Sequence, residues 1–346
     1  MTQPSRNIAN NGLRAVIVCL LLVAITIPAQ GQDKINISYS ALAPSVAFLW
    51  IAHEERFFKK HGLNAEIILI ESGSLTSQAL ASGEIGIAHN AGAPAIIANA
   101  SGSGETIIMG TVNSLEYSMV GTSKLKGIED LKGKRIGVSR IGSSSHAAVA
   151  IALDHFKLDP NRDKITIMQS GTMTTRVAGL RAGSIDATVV DPSFVPFLKR
   201  EGFRDLGYLG DLGIPYQHEV MVSTRSYMKQ NREKALKAVK AIIEATAFIA
   251  QDRNAPEVKR VLSKYLKFDD PAKTEDAYRA VKSYAFRVRK PYPTVEGVTA
   301  LIHFFGRYNP KVEKIAAKDV IDSSLVEELD KNGFIDAVYR QTSEGK

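Results

Sequence analysis

Cysteine is almost missing from this chain: 346 residues contain one, Cys19. A single thiol rules out a disulfide framework, a cysteine-based zinc site and an iron–sulfur site. Tryptophan also occurs once. No Gly-Lys-Ser/Thr phosphate loop is present, so ATP hydrolysis is not expected. There is no Gly-x-Ser-x-Gly elbow of the kind that carries a hydrolase serine. His53 and His61 lie eight apart and cannot form an i, i+4 metal pair, and no carboxylates converge beside them in sequence. We therefore expect no metal and no cofactor. What remains is ordinary: 45% hydrophobic residues, 23% charged residues and a mean hydropathy of -0.07. That composition excludes disordered, collagenous and polytopic membrane classes, and the length suits about two domains.

The first 31 residues read as an address. Arg6 and Arg14 are their only charges, and a 13-residue apolar run, Ala15 to Ile27, follows. Pro28-Ala29-Gln30-Gly31 then supplies small residues at a cleavage position. The run is shorter than the ~20 residues of a spanning helix. A secretory signal cleaved near Gly31 is expected, delivering residues 32–346 to the periplasm. A retained N-terminal anchor is the alternative. Once Cys19 is removed, no thiol nucleophile remains.

Formal net charge is +8, and it is unevenly spread. Residues 32–224 carry -1 and residues 225–346 carry +7. The C-terminal excess has no basic–aromatic motif for nucleic acid and reads as a solvated face, with a docking surface for an acidic partner or anionic lipid head groups as the alternative. Up to about Leu209, short apolar strands alternate with helices, the signature of parallel sheets with crossover helices. Strands are expected at Lys34–Tyr39, Ala65–Ile70, Ile85–Ala88, Thr106–Gly110, Arg135–Val138, Lys164–Met168 and Ala187–Val190. One helix is expected over Ser45–His61, capped by Gly62, and others over Leu75–Ser82, Pro94–Ala100, Ser144–Phe156 and Thr172–Ala182. Two stretches, Tyr117–Gly121 and Glu219–Ser223, read as crossings between two α/β lobes. Helices alone follow: Arg232–Gln251, Pro256–Leu266, Pro271–Ala285, Val295–Tyr308 and Ser323–Lys331. The expected division is a first lobe of 32–118 plus 222–346 and a second lobe of 119–221.

Ligands of open α/β sheets bind beyond the carboxyl ends of the strands. Those ends carry Ser40 to Ser45, Ser72-Gly73-Ser74, His89-Asn90, Arg140 to His146, Ser170-Gly171-Thr172 and Asp191-Pro192. Hydroxyls there are ordinary helix caps one by one. As a set around one cleft, they offer hydroxyls and free N–H groups to a polar or anionic solute. Arg140 and Arg176 are the arginines near these loops. Tyr39, Tyr117, Phe194, Tyr216 and His218 could wall a ring compound. An acid or base such as His89, Asp191 or His218 would be needed by an enzyme, and Ser144, His146 and Asp191 could in principle make a hydrolytic triad.

Four stretches carry a family resemblance: Phe57 to Leu63 (FFKKHGL), Leu80 to Ile87 (LASGEIGI), Asp130 to Val138 (DLKGKRIGV) with Gly142 to His146, and Leu180 to Ala187 (LRAGSIDA) leading to Asp191-Pro192. In this order they resemble substrate-binding proteins of ABC importers for nitrate, sulfonates, taurine and thiamine-precursor pyrimidines. The resemblance implies an α/β, two-lobed type II periplasmic-binding-protein fold with two hinge crossovers and a helical C-terminal tail. It implies a monomer that captures a small organic solute (sulfonate, carboxylate or heteroaromatic) and hands it unchanged to a membrane permease. By position it carries ligand-binding roles onto Ser40, Ser45, Ser74, Asn90, Gly142, Ser143, Ser144 and Asp191. Tyr117 and His218 join them as side chains that could stack on or hydrogen-bond a ligand. The cysteine-rich motif of the pyrimidine-synthase branch is absent, which disfavours that activity. A lyase or dehydratase on the same fold, or a binding module of a signalling system, are the alternatives.

Overall fold

The computed structural model describes residues 33–343; the expected signal segment lies outside them. Two five-stranded sheets, each flanked by helices, organise the chain. In the first, β1 (Asp33–Tyr39) pairs parallel with β2 (Leu63–Leu69) and with β3 (Ile87–Ala91). β4 (Glu105–Val112) and β10 (Glu219–Thr224) complete it in the order β2-β1-β3-β10-β4, with β10 antiparallel to both neighbours. β3, β4 and β10 are buried along their whole length, polar residues such as His89, Asn90, Glu105 and Glu219 included. The second sheet follows the same plan. β6 (Arg135–Val138), β7 (Thr166–Gln169) and β8 (Ala187–Val190) are parallel, and β5 (Ser118–Gly121) lies antiparallel between β8 and β9 (Arg204–Tyr208).

Each sheet is thus completed by one strand adjoining a crossing. Tyr117–Gly121 and Glu219–Ser223 were expected to be the crossings themselves. Instead β5 belongs wholly to the second sheet and β10 wholly to the first, because each finds ladder partners on both sides. The chain crosses just before them, in residues 113–117 and 213–218. The two segments are tied to the strands beside them: His218 N–H donates to the Val112 carbonyl at 3.0 Å, and Leu209 N–H to the Tyr117 carbonyl at 2.7 Å.

The helix expected over Ser45–His61 is broken. A short 3-10 turn, Pro44–Val46, leads into α1 (Ala47–Glu54), and α2 (Phe57–Lys60) follows a left-handed Arg56 at φ 59°. The break turns Phe58 into the core, where it is 2% exposed. Gly62 takes the expected left-handed conformation just beyond. Helices α3 (Gly73–Ser82) and α4 (Gly92–Asn99) cover the first sheet, while α5 (Ser144–His155), α6 (Met173–Ala182) and α7 (Val195–Arg200) cover the second.

The tail begins with α8 (Arg225–Ile249), which starts one turn and more before the expected Arg232. Thr224 caps it, and a kink at Asn231 separates that first stretch from the amphipathic part. Then come α9 (Ala255–Leu266), α10 (Pro271–Arg287), α11 (Val295–Gly306), α12 (Pro310–Glu313), α13 (Ser324–Lys331) and α14 (Phe334–Ser343). The tail does more than pack on the first lobe. Between α12 and α13, Val320 accepts from Ile107 N–H at 2.8 Å, and Ile107 accepts from Asp322 N–H at 2.9 Å, which covers part of the free edge of β4. α10 packs against both Pro44–Val46 of the first lobe and Pro192–Phe194 of the second. On another side, Arg307 grips Asp154 of α5 through two hydrogen bonds of 3.2 and 3.0 Å.

Candidate ligand-binding site

The carboxyl ends of both sheets face one enclosed cavity of about 60 Å3 between the lobes. At the ~15 Å3 that one water needs, this is room for roughly four waters, so a closed cavity of this size suits only a small solute. Six of the ten residues singled out from the sequence line it: Ser40, Ser45, Tyr117, Ser144, Asp191 and His218. A hollow of about 1120 Å3 lies elsewhere, between α5, α11 and the second crossing. It is away from the loops that follow the strands, and none of the ten residues lines it.

The other four residues support the cavity from behind. Asn90 is fully buried; its amide donates to the Gly73 carbonyl at 3.1 Å and to Ser77 at 3.4 Å, and its Oδ1 accepts the N–H of Ala91 at 2.8 Å. It pins the start of α3 to β3. Ser143 is the N-cap of α5, accepting from His146 N–H at 3.3 Å. Ser74 exchanges a hydrogen bond with Ser72 at 2.9 Å. Gly142 has φ 81°, a left-handed conformation that glycine adopts without strain. A side chain there would come within 4.0 Å of Ser74 Cβ, so loops from the two lobes meet at this point.

Tyr117 lines the cavity. Its hydroxyl pairs with Ser144 Oγ at 3.0 Å, and its ring tilts against His218 with centroids 4.9 Å apart. Burial pushes the phenol up to about 12, and the Glu219 and Asp191 carboxylates work in the same direction. His218 Nδ1 accepts the N–H of Glu116 at 3.3 Å, so its proton sits on Nε2 and faces Glu219 Oε1 at 3.4 Å. His89 Nδ1 approaches the other oxygen of Glu219, also at 3.4 Å, while its Nε2 meets Thr111 at 3.1 Å. Ser45 donates to Glu219 at 3.3 Å. Burial alone would raise the Glu219 carboxyl, but His218, His89 and Ser45 together hold it below its usual range. Burial lowers the His89 imidazole.

Arg176 is the charged group that the sequence reading undervalued. It sits in the first turns of α6, lines the cavity and is 4% exposed. Its guanidinium donates to Thr188 at 2.9 Å, to the Gly171 carbonyl at 2.9 Å and to the Val189 carbonyl at 3.1 Å. These are all neutral acceptors. No carboxylate forms an ion pair with it among the described residues. Burial lowers its pKa to about 10, which leaves it cationic at neutral pH. A buried cation without a counter-ion costs several kcal/mol, on the order of what an anion entering the site would recover. A cation this near a helix N-terminus also opposes the helix dipole. That local conflict was the signal available in the sequence.

Asp191 closes β8, and its Oδ1 accepts both the N–H and the hydroxyl of Ser193, at 3.0 and 2.7 Å. Burial pushes its carboxyl up to about 6, against the Ser193 hydrogen bonds. Glu116 also lines the cavity, but Arg287 reaches it at 2.9 Å and Tyr208 at 2.7 Å. Of the aromatic walls expected from the sequence, only Tyr117 and His218 reach the cavity. Tyr39 packs edge-on against Trp50, Phe194 against Phe268, and Tyr216 lies in the core beside the larger hollow. Arg140 is not among the lining residues, and His146 serves its own loop by accepting from Gly142 N–H at 3.2 Å. No group of side chains suited to a metal ion occurs among the described residues.

Residues 43–255 match the family described as NMT1/THI5 like. The chain belongs to that family. It is 25% identical over 228 residues to the taurine-binding periplasmic protein of Escherichia coli, a match covering 65% of this chain and 70% of that protein. It is 22% identical over 294 residues to a putative binding protein of Bacillus subtilis, covering 80% and 86%. Among solved structures, a Bordetella bronchiseptica protein superposes with a TM-score of 0.76 at 20% identity, over 87% of this chain and 98% of that one. The alkanesulfonate-binding protein of Xanthomonas axonopodis superposes with a TM-score of 0.65 at 20% identity, over 86% and 97%. The fold of this NMT1/THI5-like chain is therefore that of the two-lobed periplasmic binding proteins, with two crossovers and a helical tail.

Proposed function

We propose that this chain is the extracytoplasmic solute-binding component of an ABC importer, and that its solute carries an acidic group held near Arg176. The observation that carries the proposal is the buried guanidinium of Arg176, lacking a counter-ion, at the wall of a cavity enclosed by two lobes. Membership of a family whose E. coli relative is named a taurine-binding periplasmic protein supports it. The hydroxyls of Ser40, Ser45 and Ser144 and the phenol of Tyr117 line the same space and complete the polar grip.

The mechanism is capture. The solute meets one lobe, the hinges at residues 113–117 and 213–218 close, and contacts from the other lobe add differential affinity for the closed form. On this reading the lobes part inside those two segments, so the first lobe resumes at about residue 219. The closed protein then acts as a monomer that docks on a membrane permease and releases the solute unchanged. Export by the N-terminal signal, cleaved near Gly31, would put the chain in the periplasm.

Thermal shift of the chain from residue 32 onward, against short carboxylates and sulfonates, tests this reading. At least one acid should raise Tm in a saturable way, by mass action on the folded state. Arg176→Met should weaken that acid by about 100-fold or more, since a buried charge pair is worth roughly 3–5 kcal/mol when one partner is removed. Chemical conversion of the acid during incubation would replace transport with catalysis.

A further inference from the structure

This inference rests on the solute-binding reading, in which the lobes close, and concerns what favours the closed form. Besides the two crossings, the tail makes a third connection between the lobes. α10 is anchored in the first lobe, where Tyr278, Val281, Tyr284 and Ala285 share a core cluster with Ile37 and Trp50. It also packs on the second lobe at the turn Pro192–Phe194, directly after Asp191. Tyr284 reaches Oδ2 of Asp191 there, at a long 3.5 Å.

Two side chains of the tail carry the rest of this contact. Phe268 follows α9 after Lys267, whose left-handed φ of 55° turns the chain. Ser263 fixes that turn: its carbonyl accepts from Phe268 N–H at 3.1 Å, and its hydroxyl donates to the Phe268 carbonyl at 2.5 Å. The Phe268 ring meets Phe194 of the second lobe edge-on, with centroids 5.6 Å apart. Lys273 lies in the first turn of α10, where a cation opposes the helix dipole. No carboxylate forms an ion pair with it among the described residues. Its Nζ stands instead 3.7 Å from the centre of the Phe197 ring on α7, a cation–π contact. Phe194 and Phe197 in turn pack on the second lobe's own apolar cluster, around Val177, Leu180 and Val190. All four side chains are half-buried, and none lines the cavity. Half-burial suits a contact that parts and re-forms, because each lobe must tolerate the same rings in water when the lobes separate.

We propose that Phe268 and Lys273 are positioning residues for capture: they seat Phe194 and Phe197 when the lobes close, and so set the share of closed protein without touching the solute. Parting the lobes at residues 113–117 and 213–218 carries Phe194 and Phe197 away from α10. These contacts therefore count toward the closed form alone, and a solute that binds that form inherits them as affinity.

The rate of disulfide formation in solute-free Ser74→Cys/Gly142→Cys protein, made from residue 32 onward, reads the closed share, since the two loops meet across the lobes. Added to this pair, Phe268→Ala and Phe194→Ala should each slow oxidation by about threefold or more, as expected for loss of an aromatic pair. Combined, they should slow it by less than about twofold beyond the stronger single change, because both remove the same contact. Lys273→Gln should slow it about twofold, and Lys273→Arg should not, since arginine keeps a cation over the ring. A melt followed by circular dichroism shows which variants fold; Lys273→Gln, at a half-exposed site, decides if the phenylalanine variants do not. Unchanged oxidation in the folded variants would overturn the proposal. So would fully additive effects of the two phenylalanines, which would mean that each acts within its own lobe. No solute enters this assay, so either result leaves the solute-binding reading intact. If no acid of a wide panel stabilises the wild type, the solute-binding reading falls and takes the role in capture with it, whatever the oxidation rates.

Discussion

Glu105, at the start of β4, is fully buried and is not among the residues lining the cavity. Ser77 donates to its Oε2 at 3.2 Å, and its Oε1 has no partner. Burial pushes this carboxyl up to about 8, against the hydrogen bonds of Ser77 and Ser103. The folded chain therefore keeps a proton there that the unfolded chain loses above about pH 4.5. That contribution to stability is complete below about 4.5 and is lost as pH rises through 8. Glu105→Gln should flatten this part of the profile. Urea unfolding at pH 5 and pH 8.5 should show the wild type losing more than the variant, by an amount on the order of a few kcal/mol. An equal loss in both would contradict a protonated Glu105. Single residues were the least legible level in the sequence. The hydroxyls and Asp191 stood out because they follow strands. Glu219 was hidden because its charge lies inside a strand, where only tertiary burial makes it unusual, while Arg176 was named from the sequence but its burial and lack of a counter-ion were not legible there.

At the scale of elements, alternation of strands and helices was plain wherever a strand is buried on both faces. β9 escaped notice for the opposite reason: it is an edge strand, RDLGY, whose first two residues are exposed. The break at Arg56 and the early start of α8 were also invisible, since helical periodicity continues across both. Junctions between elements are where Asn90 acts. Asn90→Leu would leave the Gly73 carbonyl and the Ala91 N–H without their present partner in a dry interior. We expect a loss of about 2–4 kcal/mol in urea unfolding, since each stranded group costs roughly 1–3 kcal/mol. A loss below about 1 kcal/mol would mean that α3 is held by other contacts.

For the whole molecule, the family resemblance carried the two lobes and the tail, while the exact crossings depended on which sheet claims β5 and β10. That competition is settled only by pairing in three dimensions. The meeting of Gly142 and Ser74 offers a direct test of lobe closure. A Cβ at position 142 lies 4.0 Å from Ser74 Cβ, inside the roughly 3.5–4.5 Å span of a disulfide. Cys19 is the chain's only native cysteine, so a protein made from residue 32 onward has no competing thiol. Oxidised Ser74→Cys/Gly142→Cys protein, loaded with solute beforehand, should exchange it at least about tenfold more slowly than the reduced form, by raising the closed population. Dithiothreitol should restore the rate. Unchanged exchange would mean that solute leaves without the two loops parting.

β10 sits between β3 and β4, yet it is made more than a hundred residues after them. As the polypeptide emerges, the sheet begun first must wait with a gap until the sheet begun second has been threaded out. The earlier lobe is thus the later one to be finished, and a nascent chain stopped near residue 210 carries an unzipped β4 with no ladder partner. Such a delay keeps the leading half pliable during synthesis, and it leaves β4 exposed to mispairing whenever elongation stalls there.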